Sequence, residues 1–142
     1  MKRTASATWT GKLKDGKGAL STDSGVLSNT PYGFSTRFED EPGTNPEELV
    51  AAAHAGCFTM ALAALLEKED LTAKSLQTAT SVTLENVDGG FAITAVHLDL
   101  LAEIPGTDQA TLERIADIAK LECPLSKLLT IKATLTTKLA AS

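Results

Sequence analysis

The sequence predicts an α+β fold, ordered βββ-α-ββ-α-β, with antiparallel strands around one long central helix. Three observations carry this reading: a nearly unbroken apolar run from Leu49 to Leu66, alternating apolar and polar segments on both sides of it, and a second helical pattern later in the chain. At 142 residues, 43% of them hydrophobic, the chain fits one compact domain over 1–142. It is large enough to bury a core without cross-links.

Ala7 to Leu13 alternates, turns at Asp15-Gly16-Lys17-Gly18 and returns through Ala19 to Thr22, as a hairpin does. Phe34 to Phe38 reads as a third strand, and the acidic stretch Glu39 to Gly43 ends it. Asn45 can cap the long helix, Pro46 suits its first position, and Glu48 stands where it would complete a capping box. The helical pattern runs out near Glu67 to Asp70. A membrane span needs about 20 apolar residues, so the run is long enough to raise that reading. Seven alanines, His54, Gly56, Thr59 and acidic N-terminal flanks point instead to a core helix covered on every side.

Downstream, Leu76–Leu84 and Phe91–Leu101 alternate on either side of Asp88-Gly89-Gly90, a hairpin signal. Pro105 to Asp108 closes a strand and caps a second helix, where Leu112, Ile115, Ala116 and Ala119 keep helical spacing. Pro124 is best tolerated as the first residue of a new helical turn, which makes Cys123 its N-cap. Ile131, Ala133, Leu135 and Leu139 mark a last strand.

A net charge of −5 without a Lys/Arg cluster argues against nucleic acid or an anionic membrane as partner and leaves a small substrate. The first residues lack the apolar centre of a cleavable signal, so the cytoplasm is the expected compartment. In a reducing compartment a lone cysteine pair is more often catalytic, metal-binding or inert than a structural bridge.

Cys57, inside the apolar run, reads either as a small core residue or as a nucleophile. Cys123, at a helix start, has free amides and a positive dipole end that favour a thiolate; the plainer reading is a tolerated cap. Arg37 and Glu47 adjoin the apolar run from its polar side. An arginine can hold a thiolate anionic and donate to a peroxide oxygen, and a carboxylate can fix the guanidinium plane. Read alone, they are equally an exposed strand charge and a first-turn carboxylate. His54, three residues before Cys57, invites a Cys-His pair or a metal site, but no second histidine or cysteine lies at ligand spacing. A hydrogen-bonded core or interface histidine fits it better.

Four segments together resemble the OsmC/Ohr family of osmotically inducible and organic-hydroperoxide-resistance proteins. They are Pro31 to Glu39 around Arg37, Gly43 to Leu49, Ala52 to Leu62 around Cys57, and Cys123-Pro124. The Tyr32-Gly33-Phe34-Ser35-Thr36-Arg37-Phe38 stretch is similar to the OsmC branch. The resemblance covers essentially the whole chain and implies an OsmC-like intertwined α+β homodimer. It also implies a cysteine-dependent peroxidase that reduces organic hydroperoxides, needing no metal, haem or flavin. Carried over, Cys57 is the peroxidatic nucleophile and Cys123 the resolving thiol, while Arg37 activates Cys57 and Glu47 orients Arg37. A dithiol, dihydrolipoyl groups in the Ohr branch, would reset the disulfide. Two other functions compete: an apolar-ligand binding protein, and a thiol-disulfide oxidoreductase without peroxidase activity, which the lack of a local Cys-x-x-Cys weakens.

Spacing adds an argument for a homodimer. Glu47 and Cys57 are ten residues apart, roughly 15 Å along one helix at about 1.5 Å per residue. Two copies crossing antiparallel near Ala52 would bring Glu47 of one level with Cys57 of the other, and Ala51, Ala52 and Ala53 would permit the approach.

Overall fold

The computed structural model describes residues 1–141, and the chain divides into two compact units, Met1–Leu49 and Val50–Ser142. In the first unit, β1 (Ala5–Thr10), β2 (Lys17–Thr22) and β3 (Thr30–Tyr32) form an antiparallel sheet in that order. Trp9, Gly18 and Tyr32 are register partners across it, and the Trp9 and Tyr32 rings meet edge-on with centroids 5.8 Å apart. Gly18 lies beneath them. A Cβ there would stand 2.5 Å from Tyr32 and 2.7 Å from Trp9, so only glycine lets the rings close.

Phe34 to Phe38 departs from the expected third strand. That strand is β3, Thr30–Tyr32, one residue further back, where Pro31 is tolerated because β3 is an edge. Phe34–Phe38 itself is a short helix, α1. The Gly33 amide donates to Thr36 Oγ1 at 2.9 Å, and Thr36 Oγ1 donates back to the Gly33 carbonyl at 3.0 Å. Phe34 and Phe38, four apart, bring their rings within 5.1 Å, a contact that a strand would not allow.

Helix α2 covers Pro46–Lys68, close to its expected bounds. The Glu48 amide donates to Asn45 Oδ1 at 2.8 Å, as an N-cap requires. The other half of the expected capping box is replaced: the Glu48 carboxylate accepts from Thr44 Oγ1 at 2.9 Å. By length and composition α2 is apolar enough to cross a membrane. Within the single chain α2 is covered along one side only. Only His54, Phe58, Leu62 and Leu66 are buried, one stripe at a spacing of four, while Ala52, Gly56 and Met60 are exposed. The run's composition does not distinguish a helix wrapped by its own chain from one that presents a face.

In the second unit, β4 (Ser75–Val87) and β5 (Gly90–Glu103) form a long antiparallel hairpin. Its turn takes positive φ at Asp88 (52°) and Gly89 (84°), the pattern a two-residue hairpin loop demands. β6 (Thr134–Leu139) joins β5 in parallel, from His97–Thr134 to Ala102–Leu139. The expected all-antiparallel arrangement therefore fails at this strand, because a helical crossover separates it from β5. That crossover is α3 (Gln109–Glu122), capped by Asp108 accepting from the Thr111 amide, followed by α4 (Pro124–Leu128).

The core gathers Phe58, Leu62 and Leu66 of α2, the alternating Leu98, Leu100 and Ala102 of β5, and Leu112, Ile115, Ala116 and Ala119 of α3. Cys123 completes it, fully buried. Gln109 locks α3 to β6, donating to the Thr137 carbonyl at 3.1 Å and accepting from the Leu139 amide at 2.8 Å.

Candidate active site

In the first unit, α1 and the first turn of α2 carry Arg37 and Glu47. Arg37 Nη2 donates to Glu47 Oε1 at 2.7 Å, and Nε donates to both oxygens at 3.1 and 3.2 Å. This is the planar two-nitrogen grip expected of an arginine and a carboxylate. Glu47 is mostly buried, its side chain 12% exposed, whereas Arg37 is 36% exposed. The carboxylate is therefore the fixed partner and the guanidinium keeps a solvent-facing side. Helical rather than extended backbone at 34–38 sets this geometry, and it lays the guanidinium 5.1 Å from the Phe38 ring centroid. Trp9, Tyr32, Phe34, Phe38 and Arg37 line a hollow of about 320 Å³.

In the second unit, α2 presents Cys57, half-buried, next to the buried stripe, and Cys123 sits between α3 and α4. Both thiols are free, and Cys57 packs against the buried cluster that contains Cys123. As expected, Cys123 is the N-cap of a helix that Pro124 begins, its Sγ accepting from the Ser126 amide at 3.4 Å. Burial pushes the Cys57 thiol above its ordinary pKa; the Leu125 backbone amide pulls it down, and the neighbouring Cys123 raises it again.

His54 is fully buried and its Nε2 stands 2.9 Å from Ser126 Oγ. It thus takes the place of a hydrogen-bonded core histidine. No group of three or more metal-ligating side chains is found among the described residues. The residue that sequence reasoning passed over is Ser126, which touches both His54 and Cys123. A signal was available: Ser126 stands three residues past the N-cap, where a side chain commonly answers the cap.

A family model described as OsmC-like protein matches residues 38–138. The chain belongs to the OsmC-like family. It is 50% identical over 129 residues to a protein of Escherichia coli K12 described as Peroxiredoxin OsmC, covering 91% of this chain and 90% of that one. An organic hydroperoxide resistance protein of Xanthomonas axonopodis pv. citri is 35% identical over 126 residues, covering 87% and 84%. Among solved structures, OhrB of Bacillus subtilis superimposes with a TM-score of 0.69 at 25% identity, over 96% of this chain and 98% of that one. An OsmC-like protein of unknown function from Vibrio cholerae reaches 0.77 at 18% identity, over 97% and 99%, a likeness of fold alone. The OsmC-like fold expected from the sequence is therefore present.

Proposed function

We propose that this OsmC-like protein is a cysteine-dependent peroxidase that reduces organic hydroperoxides to alcohols. The observation that carries the reading is a half-buried free thiol, Cys57, packed against the buried cluster that holds a second free thiol, Cys123. Relatives described as a peroxiredoxin and as organic hydroperoxide resistance proteins support it. Cys57 thiolate attacks the distal peroxide oxygen, the O–O bond breaks, and the alkoxide takes a proton and leaves as alcohol. Cys57 is left as a sulfenic acid. Cys123 condenses with it, forming the disulfide and releasing water. A dithiol then restores both thiols by exchange.

Arg37 has the role of holding Cys57 as thiolate, and Glu47 that of fixing the guanidinium plane. The reaction calls for no metal or organic cofactor, and residues 1–142 act as one domain in the cytoplasm.

Anaerobically reduced protein should convert one equivalent of cumene hydroperoxide into one Cys57–Cys123 disulfide, seen by mass spectrometry. The same amount of hydrogen peroxide should react more slowly, because Cys57 packs with Ala61 and Leu125 against the hydrophobic core and offers little to bind a small polar peroxide. A passive binding protein would show no cysteine oxidation, and a pure thiol exchanger would respond only to a disulfide substrate.

The functional form we propose is a homodimer. The first unit contributes no residue to the buried hydrophobic core, and all six residues of β1 are exposed in the single chain. On α2, Ala52, Gly56, Met60 and Ala63 form an exposed strip of mostly small side chains, with Met60 77% exposed. A second copy of α2 crossing there would bury it. Ala52→Trp should therefore yield monomer and lose peroxidase activity together, as read by light scattering and cumene hydroperoxide consumption. A fully active wild-type monomer at micromolar concentration would end this reading.

A further inference from the structure

Beside the cysteine pair, a second polar thread enters the core of the Val50–Ser142 unit. His54 is the fully buried polar side chain of the described core, and it shares no hydrogen bond with Cys57. Its Nε2 lies 2.9 Å from Ser126 Oγ, and that oxygen lies 3.4 Å from Cys123 Sγ. The Ser126 amide reaches the same sulfur at 3.4 Å. On the opposite side of the ring, Nδ1 is buried and has no hydrogen-bond partner among the described residues.

The orphaned nitrogen decides the direction of the thread. A neutral imidazole carries one N–H, and a buried N–H without an acceptor is rarer and costlier than a buried lone pair without a donor. The proton therefore belongs on Nε2, which donates to Ser126 Oγ. With its oxygen accepting from the histidine, Ser126 has its own hydroxyl proton left to give, and Cys123 Sγ is the acceptor in reach.

We infer that His54 is a positioning residue for the second cysteine: through Ser126 it aims a hydroxyl donor at Cys123 Sγ and holds that sulfur as the thiolate that closes the disulfide. This rests on the reading that Cys123 resolves a Cys57 sulfenic acid. In that step Cys123 has given up its proton, its sulfur bonds to Cys57 Sγ, and the S–O bond breaks. The departing hydroxide takes up a proton, so thiol plus sulfenic acid give disulfide plus water. Burial lowers the pKa of His54 and keeps the ring neutral, so it acts as a fixed donor and does not itself exchange the proton. The titratable groups facing Cys123 are Cys57 directly and His54 through Ser126, both from α2.

Cys123 is the sole thiol in a Cys57→Ser protein, so ultraviolet thiolate absorbance against pH reports it without turnover. In that background Ser126→Ala and His54→Phe should each cut the thiolate present at a fixed pH below the midpoint about tenfold, the usual scale for losing one hydrogen bond to an anion. His54→Gln, whose amide nitrogen reaches the place of Nε2, should restore most of it. Ser126→Ala and His54→Gln are small changes that keep the test available if His54→Phe does not fold. Superimposable curves for all variants overturn the proposal, as does a His54→Gln curve that matches the Ser126→Ala curve. Shifted curves in a protein whose two-cysteine form makes no disulfide with hydroperoxide would defeat the peroxidase reading and leave the donor thread standing.

Discussion

Hydroperoxide consumption is expected to vanish in Cys57→Ser and to stop after one or two events per site in Cys123→Ser. The asymmetry follows from exposure. Cys57 is half-buried and can be met by a substrate, whereas Cys123 is fully buried and can be met only by a group already inside the protein. Without Cys57 there is no accessible thiol to attack the peroxide. Without Cys123, the sulfenic acid formed on Cys57 has no thiol to condense with, so it persists or is carried to sulfinic acid by a second equivalent. Mass spectrometry after one and two equivalents distinguishes these species, and a dimedone adduct marks the first. Sustained turnover by the Cys57→Ser protein would remove Cys57 from the mechanism.

Arg37→Ala should slow the oxidation of Cys57 at neutral pH by about 10- to 1,000-fold, the span given by losing one to three pKa units of charge stabilisation. Burial is the largest influence on this thiol and it favours the neutral form, so the thiolate is scarce unless a cation restores it. Removing a cation moves the midpoint upward, so the pH–rate curve shifts to higher pH and the loss shrinks as the medium becomes alkaline. Arg37→Lys should recover only part of the rate. A lysine ammonium is a single point donor, and the Glu47 carboxylate here is gripped by two nitrogens in one plane. Single-turnover rates across pH provide the test; wild-type and Arg37→Ala curves that coincide would make Arg37 a bystander.

Much of the site was legible because its residues carry local backbone instructions. Pro124 is best tolerated as the first residue of a helical turn, which makes Cys123 its cap, and the structure has it doing so. Asn45-Pro46 and Asp88-Gly89 marked a helix start and a hairpin in the same way. Phe34 to Phe38 misled because two aromatics flanking a β-branched Thr36 at alternate positions suit a strand, while the Phe34–Phe38 ring contact and the Thr36 hydroxyl suit a helix; in five residues periodicity cannot arbitrate. The direction of β6 was hidden because alternation is the same read forward or backward. The place of Ser126 beside the Cys123 cap was legible, but its link to His54 was not, because the two are 72 residues apart and no local pattern announces a long-range hydrogen bond.

The spacing of four along α2 sets how freely this helix can change. Residues four apart advance about 40° around the axis, so they form slanted ridges rather than straight lines. His54, Phe58, Leu62 and Leu66 are the ridge sunk in the core; Cys57, Ala61 and Leu65 are the next, only partly covered; Ala52, Gly56 and Met60 are the outermost. The Cys57 sulfur thus occupies the shoreline between a packed interior and an open flank. An insertion or deletion of one residue upstream would turn every later position by about 100° and carry the thiol inland or out to sea, whereas point changes on the outer ridge leave its latitude untouched.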